Sequence, residues 1–463
     1  MTKLRAVVFY LFLVWLNRSF GQTPVDNHPA FSAEQLKADL KYLKTKLEDN
    51  HPGLYLYSSK QIIDRTFDSL ENGISSPMTA TAFYRHITIL SSIIKDGHTL
   101  ILPQQDDTNS FLPYHAVIMD NRLFVDMAYT SDTSIPEGSE IISINNLGAD
   151  KIISQLTERQ VRDGYNLTYP TWILSNYFRQ YYSFVFGCPE YFTISYKINE
   201  KTNTALIKAL TKDSIFYYRQ RNYPGRIFSA QPGEALKLKV DTMNNYAVLT
   251  IKDFHNDVLK KEYKQNFEKV TGAYFEQINN SRVENLVIDL RNNQGGDVEN
   301  GVYLLSWLLD KPFSVVKEYW CVKNNTLQNC HGPSFGEHKP KAGNFRGHLY
   351  VLINGGSFSN SGIVSSCLQA HNRATFIGQE TGGNPDVIAG YSKDFTLPNT
   401  KIEVQIPTKQ FVITGKENNN GRGIMPAHFA APTLKDLLEN KDRELDYTIE
   451  LIKRKDKTRQ QKN

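Results

Sequence analysis

The sequence predicts an α/β core set in a multidomain α+β chain, on three observations. From Lys237 onward four apolar runs of strand length alternate with helical stretches: "NYAVLTI" (245–251), "NLVIDL" (285–290), "LYVLI" (349–353) and "ATFIG" (374–378). Runs this continuously apolar suit strands covered on both faces, as in a mostly parallel sheet with helices packed against it. Before them, residues 30–102 repeat apolar positions at helical spacing, whereas residues 113–200 shift to short strand-like runs separated by glycine turns. The 463 residues exceed what one core usually holds.

At the N-terminus, Lys3 and Arg5 precede the apolar run "AVVFYLFLVWL" (6–16), followed by "NRSFGQ". This is the pattern of a signal peptide over residues 1–22, removed near Gln22. The run is too short for a membrane span, which needs ~20 residues. The expectation is therefore an exported protein, periplasmic or extracellular, with no stable membrane insertion after cleavage. Hydrophobic residues make up 40% of the chain and charged residues 22%, and the net charge of +5 is spread thinly. The one dense basic run, "KRKDKTRQQK" (453–462), reads as a solvated, frayed tail. With no basic stripe and interleaved aromatics, nucleic acid is not expected as a partner. Cys188, Cys321, Cys330 and Cys367 lack the paired spacing of a zinc site; Cys321 and Cys330 bracket "VKNNTLQN" and could close a small disulfide loop, while Cys367 reads as a buried thiol.

The elements follow in order. Ser32 and Gln35 have the spacing of a capping box opening a helix that ends at His51-Pro52-Gly53. A second helical pattern, "MTATAFYRHITILSSIIKDGHTLILP" (78–103), stops at Asp96-Gly97. In the middle region a turn at Pro136-Glu137-Gly138 leads into a strand, then Asn145-Asn146, then a short helix; the segment "GSEIISINN" resembles that part of a PDZ domain. Further on, "LYVLI" is followed by Ile363, Val364, Cys367 and Leu368, which share a helical face. Ser357, Ser359 and Ser361 thus lie in a strand-to-helix turn. Such serines either cap and fill the turn or include a nucleophile, because the N–H groups of a helix start favour a developing oxyanion. A second glycine turn, "DLRNNQGGD" (289–297), follows "NLVID" and offers further free N–H groups at Gly295 and Gly296.

In this order, "DLRNNQGGD", "VLINGGSFSNSGIVSSCLQAHNRATFIGQETGG" and "GRGIMP" resemble the S41 serine peptidases, the C-terminal-processing, tail-specific and tricorn-core-like enzymes. The resemblance implies that Ser359, in Ser357-Phe358-Ser359, is the nucleophile, with Ser357 and Ser361 as turn and cap residues. It implies an oxyanion hole from the N–H of Asn360 and that of Gly295 or Gly296. Tail-specific members place a lysine base at a near-fixed interval downstream; that position is Asn384, whose neutral amide cannot take the serine's proton. The tricorn-like branch uses a histidine from before the core, which matches His98 in "IIKDGHTLIL"; an imidazole titrating near ~6.5 suits a general base. His51 and His115 read as structural, and His371 lies in a connector. The residue orienting the base is Glu417 or Asn420, in "GKENNNGRGIMPAH", or else Asp96. The implied domains are an N-terminal helical region (30–102), a PDZ-like domain (113–200) and the catalytic core (237–450). The implied function is an exported serine endopeptidase that hydrolyses unfolded or tail-exposed polypeptides by a Ser–His mechanism without metal or cofactor. The PDZ-like region would recruit extended polypeptide at a sheet edge. A non-catalytic peptide-binding protein on the same fold, or a related acyl hydrolase, is the alternative.

Overall fold

The computed structural model describes residues 30–103, 110–225, 234–332, 334–415 and 421–460. The expected signal peptide over residues 1–22 lies outside the described residues.

Ser32 caps α1 (Ala33–Asn50) through a reciprocal capping box with Gln35, so the first helix starts where the sequence places it. Leu36, Leu40, Leu43 and Leu47 form its buried stripe. The helices α2 (Lys60–Gly73), α3 (Ala80–Ile87) and α4 (Leu90–Ile94) complete the N-terminal layer. Lys95 ends α4 in a left-handed conformation at φ 59°. The chain then turns through Asp96 to Thr99 into β1 (Leu100–Leu102), so the last residues read as helical are in fact a strand.

In the middle region, β2 (Tyr114–Met119), β3 (Arg122–Ala128) and β4 (Glu140–Ile144) begin an antiparallel sheet. After β4, Asn145 and Asn146 both adopt positive φ, and α5 (Ala149–Thr157) follows, matching the strand, turn and helix read from "GSEIISINN". The loop 158–167 leads to α6 (Thr168–Phe186), and β5 (Tyr191–Ile198) with β6 (Lys201–Lys208) closes the sheet.

The core sheet begins with β7 (Leu236–Asp241) and β8 (Tyr246–Ile251). After α7 (Phe267–Ser281) come β9 (Asn285–Asp289) and α8 (Val298–Leu308), then a hairpin of β10 (Val316–Lys323) and β11 (Thr326–Cys330). Next are β12 (His348–Ile353), α9 (Asn360–Ala370) and β13 (Ala374–Gly378), then a long hairpin of β14 (Val387–Thr396) and β15 (Glu403–Ile413). Short β16 (His428–Phe429) and α10 (Arg443–Gln460) complete the described chain. Strands β7-β8-β9-β12-β13-β16 form one sheet, parallel throughout except for the β7–β8 pair. Alternate residues feed opposite cores. Leu286, Ile288, Leu349, Val351 and Ile353 face the helices α7, α8 and α9, while Val287, Tyr350 and Leu352 face α10. That two-sided burial is why these strands are apolar at nearly every position, each buried Leu or Ile contributing ~1.5–3 kcal/mol. The basic run read as a frayed tail is helical as far as Gln460, because Ile452 anchors α10 in the second core.

A second sheet was not legible in the sequence: β1-β15-β10-β11, with β14 on the other edge of β15. It receives β1 antiparallel to β15, Leu100 opposite Gln405. Asp39 of α1 seals the same junction, fully buried, accepting the N–H of Asn399 and Thr400 at 2.8 Å each and the Thr400 hydroxyl at 2.6 Å. The N-terminal helices therefore pack on Leu397, Ile402, Val404 and Ile406, and the turn before β1 is delivered to the core. Cys321 and Cys330, on facing strands of the β10–β11 hairpin, are neighbouring free thiols, not a disulfide.

Candidate active site

The strand β12 ends at Ile353, and α9 begins after six intervening residues; within that reversal Ser359 is held at φ 52°, ψ −117°. A β-carbon is strained there, and such strain persists only where the surroundings enforce it. The flanking serines do that. Ser357 Oγ donates to the Leu290 carbonyl at 2.8 Å, and Ser361 Oγ donates to the Asn293 carbonyl at 2.8 Å. Both are fully buried, whereas Ser359 is partly open to solvent.

The hydroxyl of Ser359 lies 3.1 Å from Nε2 of His98, a contact between residues 261 positions apart. The His98 ring stacks on Phe358 with centroids 4.7 Å apart, and Phe358 stacks in turn on Tyr169 at 4.2 Å. Burial pushes the imidazole below its ordinary range, Asp96 pulls it upward and His51 pushes it down again. Its Nδ1 is buried and has no hydrogen-bond partner among the described residues.

Asp96 does not orient the ring. Its Oδ1 accepts the backbone N–H of His98 and the hydroxyl of Thr99, both at 2.9 Å, so it shapes the turn that carries the histidine. His51 accepts the Gly53 N–H on Nδ1 and brings Nε2 to 3.7 Å from Asp96. Glu417 and Asn420 lie outside the described residues. The chain re-enters at Gly421-Arg422, where Arg422 makes a two-pronged ion pair with buried Glu380 at 2.6 and 2.8 Å.

The glycine turn after β9 abuts the serine turn. A side chain at Gly295 (φ +105°) would put its Cβ 2.7 Å from both Asn360 N and Ser359 Cβ. Asn293 pins the two turns together: its Nδ2 donates to the Ile251 carbonyl, its Oδ1 accepts the Gly295 N–H at 2.8 Å, and its carbonyl accepts the Phe358 N–H at 3.1 Å. The Gly295 N–H is therefore already taken, whereas those of Gly296 and Asn360 have no acceptor among the described residues.

Residues 245–428, which hold both turns, match peptidase family S41. Over these residues the chain is similar to that family. A carboxy-terminal-processing protease of Bartonella bacilliformis is 31% identical over 112 residues, spanning 24% of this chain and 24% of that protein. Mature CPAF shares the fold over 91% of this chain and 96% of its own, with TM-score 0.66 and 12% identity. The complex of mature CPAF with lactacystin superposes equally, at TM-score 0.66 and 13% identity over 91% and 98% of the two chains.

In this S41-like core, Asn384 is buried. Its amide donates to the Tyr57 hydroxyl, its carbonyl oxygen accepts the Asp386 N–H at 2.8 Å, and its backbone N–H donates to Asp163 at 3.2 Å. Tyr57, Asp163, Phe358 and Asn293 were not singled out from the sequence. Phe358 and Asn293 carried a signal, one between two of the serines and the other within the glycine-turn motif; Tyr57 and Asp163 reveal themselves through partners distant in the chain. His115, by contrast, is buried in the middle sheet against Asp126 at 3.2 Å, and His371 caps the end of α9. Among the described residues no helix is long and apolar enough to cross a membrane.

Proposed function

We propose that the protein is an exported serine peptidase in which Ser359 is the nucleophile and His98 the general base, acting on unfolded or tail-exposed polypeptide. The observation that carries this reading is the 3.1 Å approach of His98 Nε2 to Ser359 Oγ, within hydrogen-bond reach for proton transfer. Ser359 Oγ attacks the peptide carbonyl as its proton passes to His98 Nε2. The negative oxygen of the tetrahedral adduct is met by the N–H groups of Asn360 and Gly296. The adduct collapses as the C–N bond breaks and His98 returns the proton to the leaving amine; water then releases the acyl group by the same steps. Glu417 or Asn420 would orient the ring from its Nδ1 side, and the neutral amide at Asn384 disfavours a serine–lysine dyad, which supports the histidine-using, tricorn-like reading. The middle sheet serves as a PDZ-like recruiter of extended polypeptide.

The test is turnover of reduced, alkylated casein by the mature protein. Ser359→Ala and His98→Ala are each expected to lose several orders of magnitude with unchanged thermal midpoints, since members of such a unit do not act additively. Full turnover by Ser359→Ala would refute the assignment.

A further inference from the structure

We propose that Asp163 is a positioning residue for the base: its two carboxylate oxygens clasp the His98 turn to the loop bearing Asn384 and so set the His98–Ser359 separation. This rests on the Ser359–His98 reading above.

The base and the nucleophile arrive from different parts of the chain, so something must fix the height of one over the other. The stack on Phe358 restricts the tilt of the imidazole but permits sliding along the ring face. The segment Asp163 to Asn166, between α5 and α6, ties the two sides together. Asp163 Oδ1 accepts the N–H of Gly97, the residue before His98, at 2.8 Å, and Gly164 N–H donates to the Lys95 carbonyl at 2.9 Å. On the other side, Asp163 Oδ2 accepts the Asn384 N–H at 3.2 Å, Tyr165 N–H donates to the Gly421 carbonyl at 2.7 Å, and Asn166 Nδ2 donates to the Thr381 carbonyl at 2.8 Å. The packing leaves no slack, because a Cβ at Gly97 would lie 2.5 Å from Phe358 Cζ and 2.8 Å from Asp163 Oδ1.

Asp163 is 3% exposed and makes no ion pair among the described residues. An unpaired buried carboxylate is costly, and a neutral asparagine would ordinarily suit such a site better. Here it would not. Asparagine accepts on one end only and would turn its NH2 against the second N–H. A carboxylate, with acceptors at both ends, is the side chain that can hold both donors.

Asp163→Asn is expected to lower kcat for a p-nitrophenyl ester by about 10²-fold, the cost of misplacing a reacting group by about 1 Å, with KM unchanged and fluorophosphonate labelling slowed in parallel. In a His98→Ala background the same substitution is expected to have no further effect on the residual rate, which separates positioning of the base from general loosening. Wild-type kcat in Asp163→Asn, or an undiminished loss in the His98→Ala background, would overturn the proposal. Should Asp163→Asn fail to unfold cooperatively, Tyr57→Phe loosens the Asn384 loop without touching the buried carboxylate. It is expected to lower kcat a few-fold, again silently without His98; wild-type kcat there would overturn the proposal. A wild-type protein inert to ester and fluorophosphonate refutes the peptidase reading itself, whereas an active one indifferent to Asp163→Asn refutes the clasp alone.

Discussion

At the scale of single residues, His98 carries a consequence for pH. Burial holds its imidazole below the ordinary 6.5, with Asp96 opposing and His51 assisting. The neutral ring is the working form and the clasp needs the Asp163 carboxylate, so kcat/KM should fall on the acid side, first as Asp163 takes up a proton at about 7 and then as His98 does below 6.5. A midpoint well above 7 in a kcat/KM profile, the sign of a base such as lysine, would contradict this. Nearby, two buried carboxyls divide sharply. Burial raises Asp96, but His51, His98 and the Thr99 hydroxyl outweigh it and hold the group down to about 2. Burial and then the Asp96 charge push Asp163 up to about 7, against the N–H groups of Gly97 and Asn384. Of the residues involved, Ser359 and His98 were singled out through the S41 resemblance of their motifs, and the structure brings the two side chains within 3.1 Å. Asp163 was not: in the sequence it is an Asp-Gly turn like many others, and its role depends on Gly97 and Asn384, 66 and 221 residues away.

Elements impose tighter demands than their sequence patterns suggest. The glycine turn after β9 must touch the serine turn, so Gly295→Ala, at φ +105° and with its Cβ 2.7 Å from Asn360 N, should cost about 10²-fold in kcat by displacing the nucleophile. Gly336→Ala is the control: at φ +100° it is strained equally but meets nothing within 4 Å, so stability should fall by about 1 kcal/mol with kcat intact. Equal loss in both variants on an ester assay would mean strain, not contact, is responsible. At the other junction, Asp39→Ala strands the N–H groups of Asn399 and Thr400. It should lower stability by about 3 kcal/mol, read as a lower urea midpoint at constant slope. The parallel strands β8, β9, β12 and β13 were readable because burial on both faces makes them continuously apolar. The hairpin β14–β15 was not, because stretches such as "SKDFT" mix charge into half-buried strands, and its partner β1 follows a helix-like pattern far away in sequence.

Across the whole molecule, the pairing of β1 with β15 places the His98 turn over Ser359. On the proposed reading, the N-terminal helices thus deliver the base to an S41-like core that carries asparagine at position 384. The core alone, from residue 237 onward, should therefore be inactive toward esters even where it remains folded, while the full chain is active. The most direct measurement is fluorophosphonate labelling of the mature protein, with the modified peptide identified by mass spectrometry. A single label on Ser359, abolished in Ser359→Ala and strongly slowed in His98→Ala, is the expected result. No label, a label on Ser357 or Ser361, or labelling of Ser359 at an undiminished rate in His98→Ala would contradict a serine activated by His98.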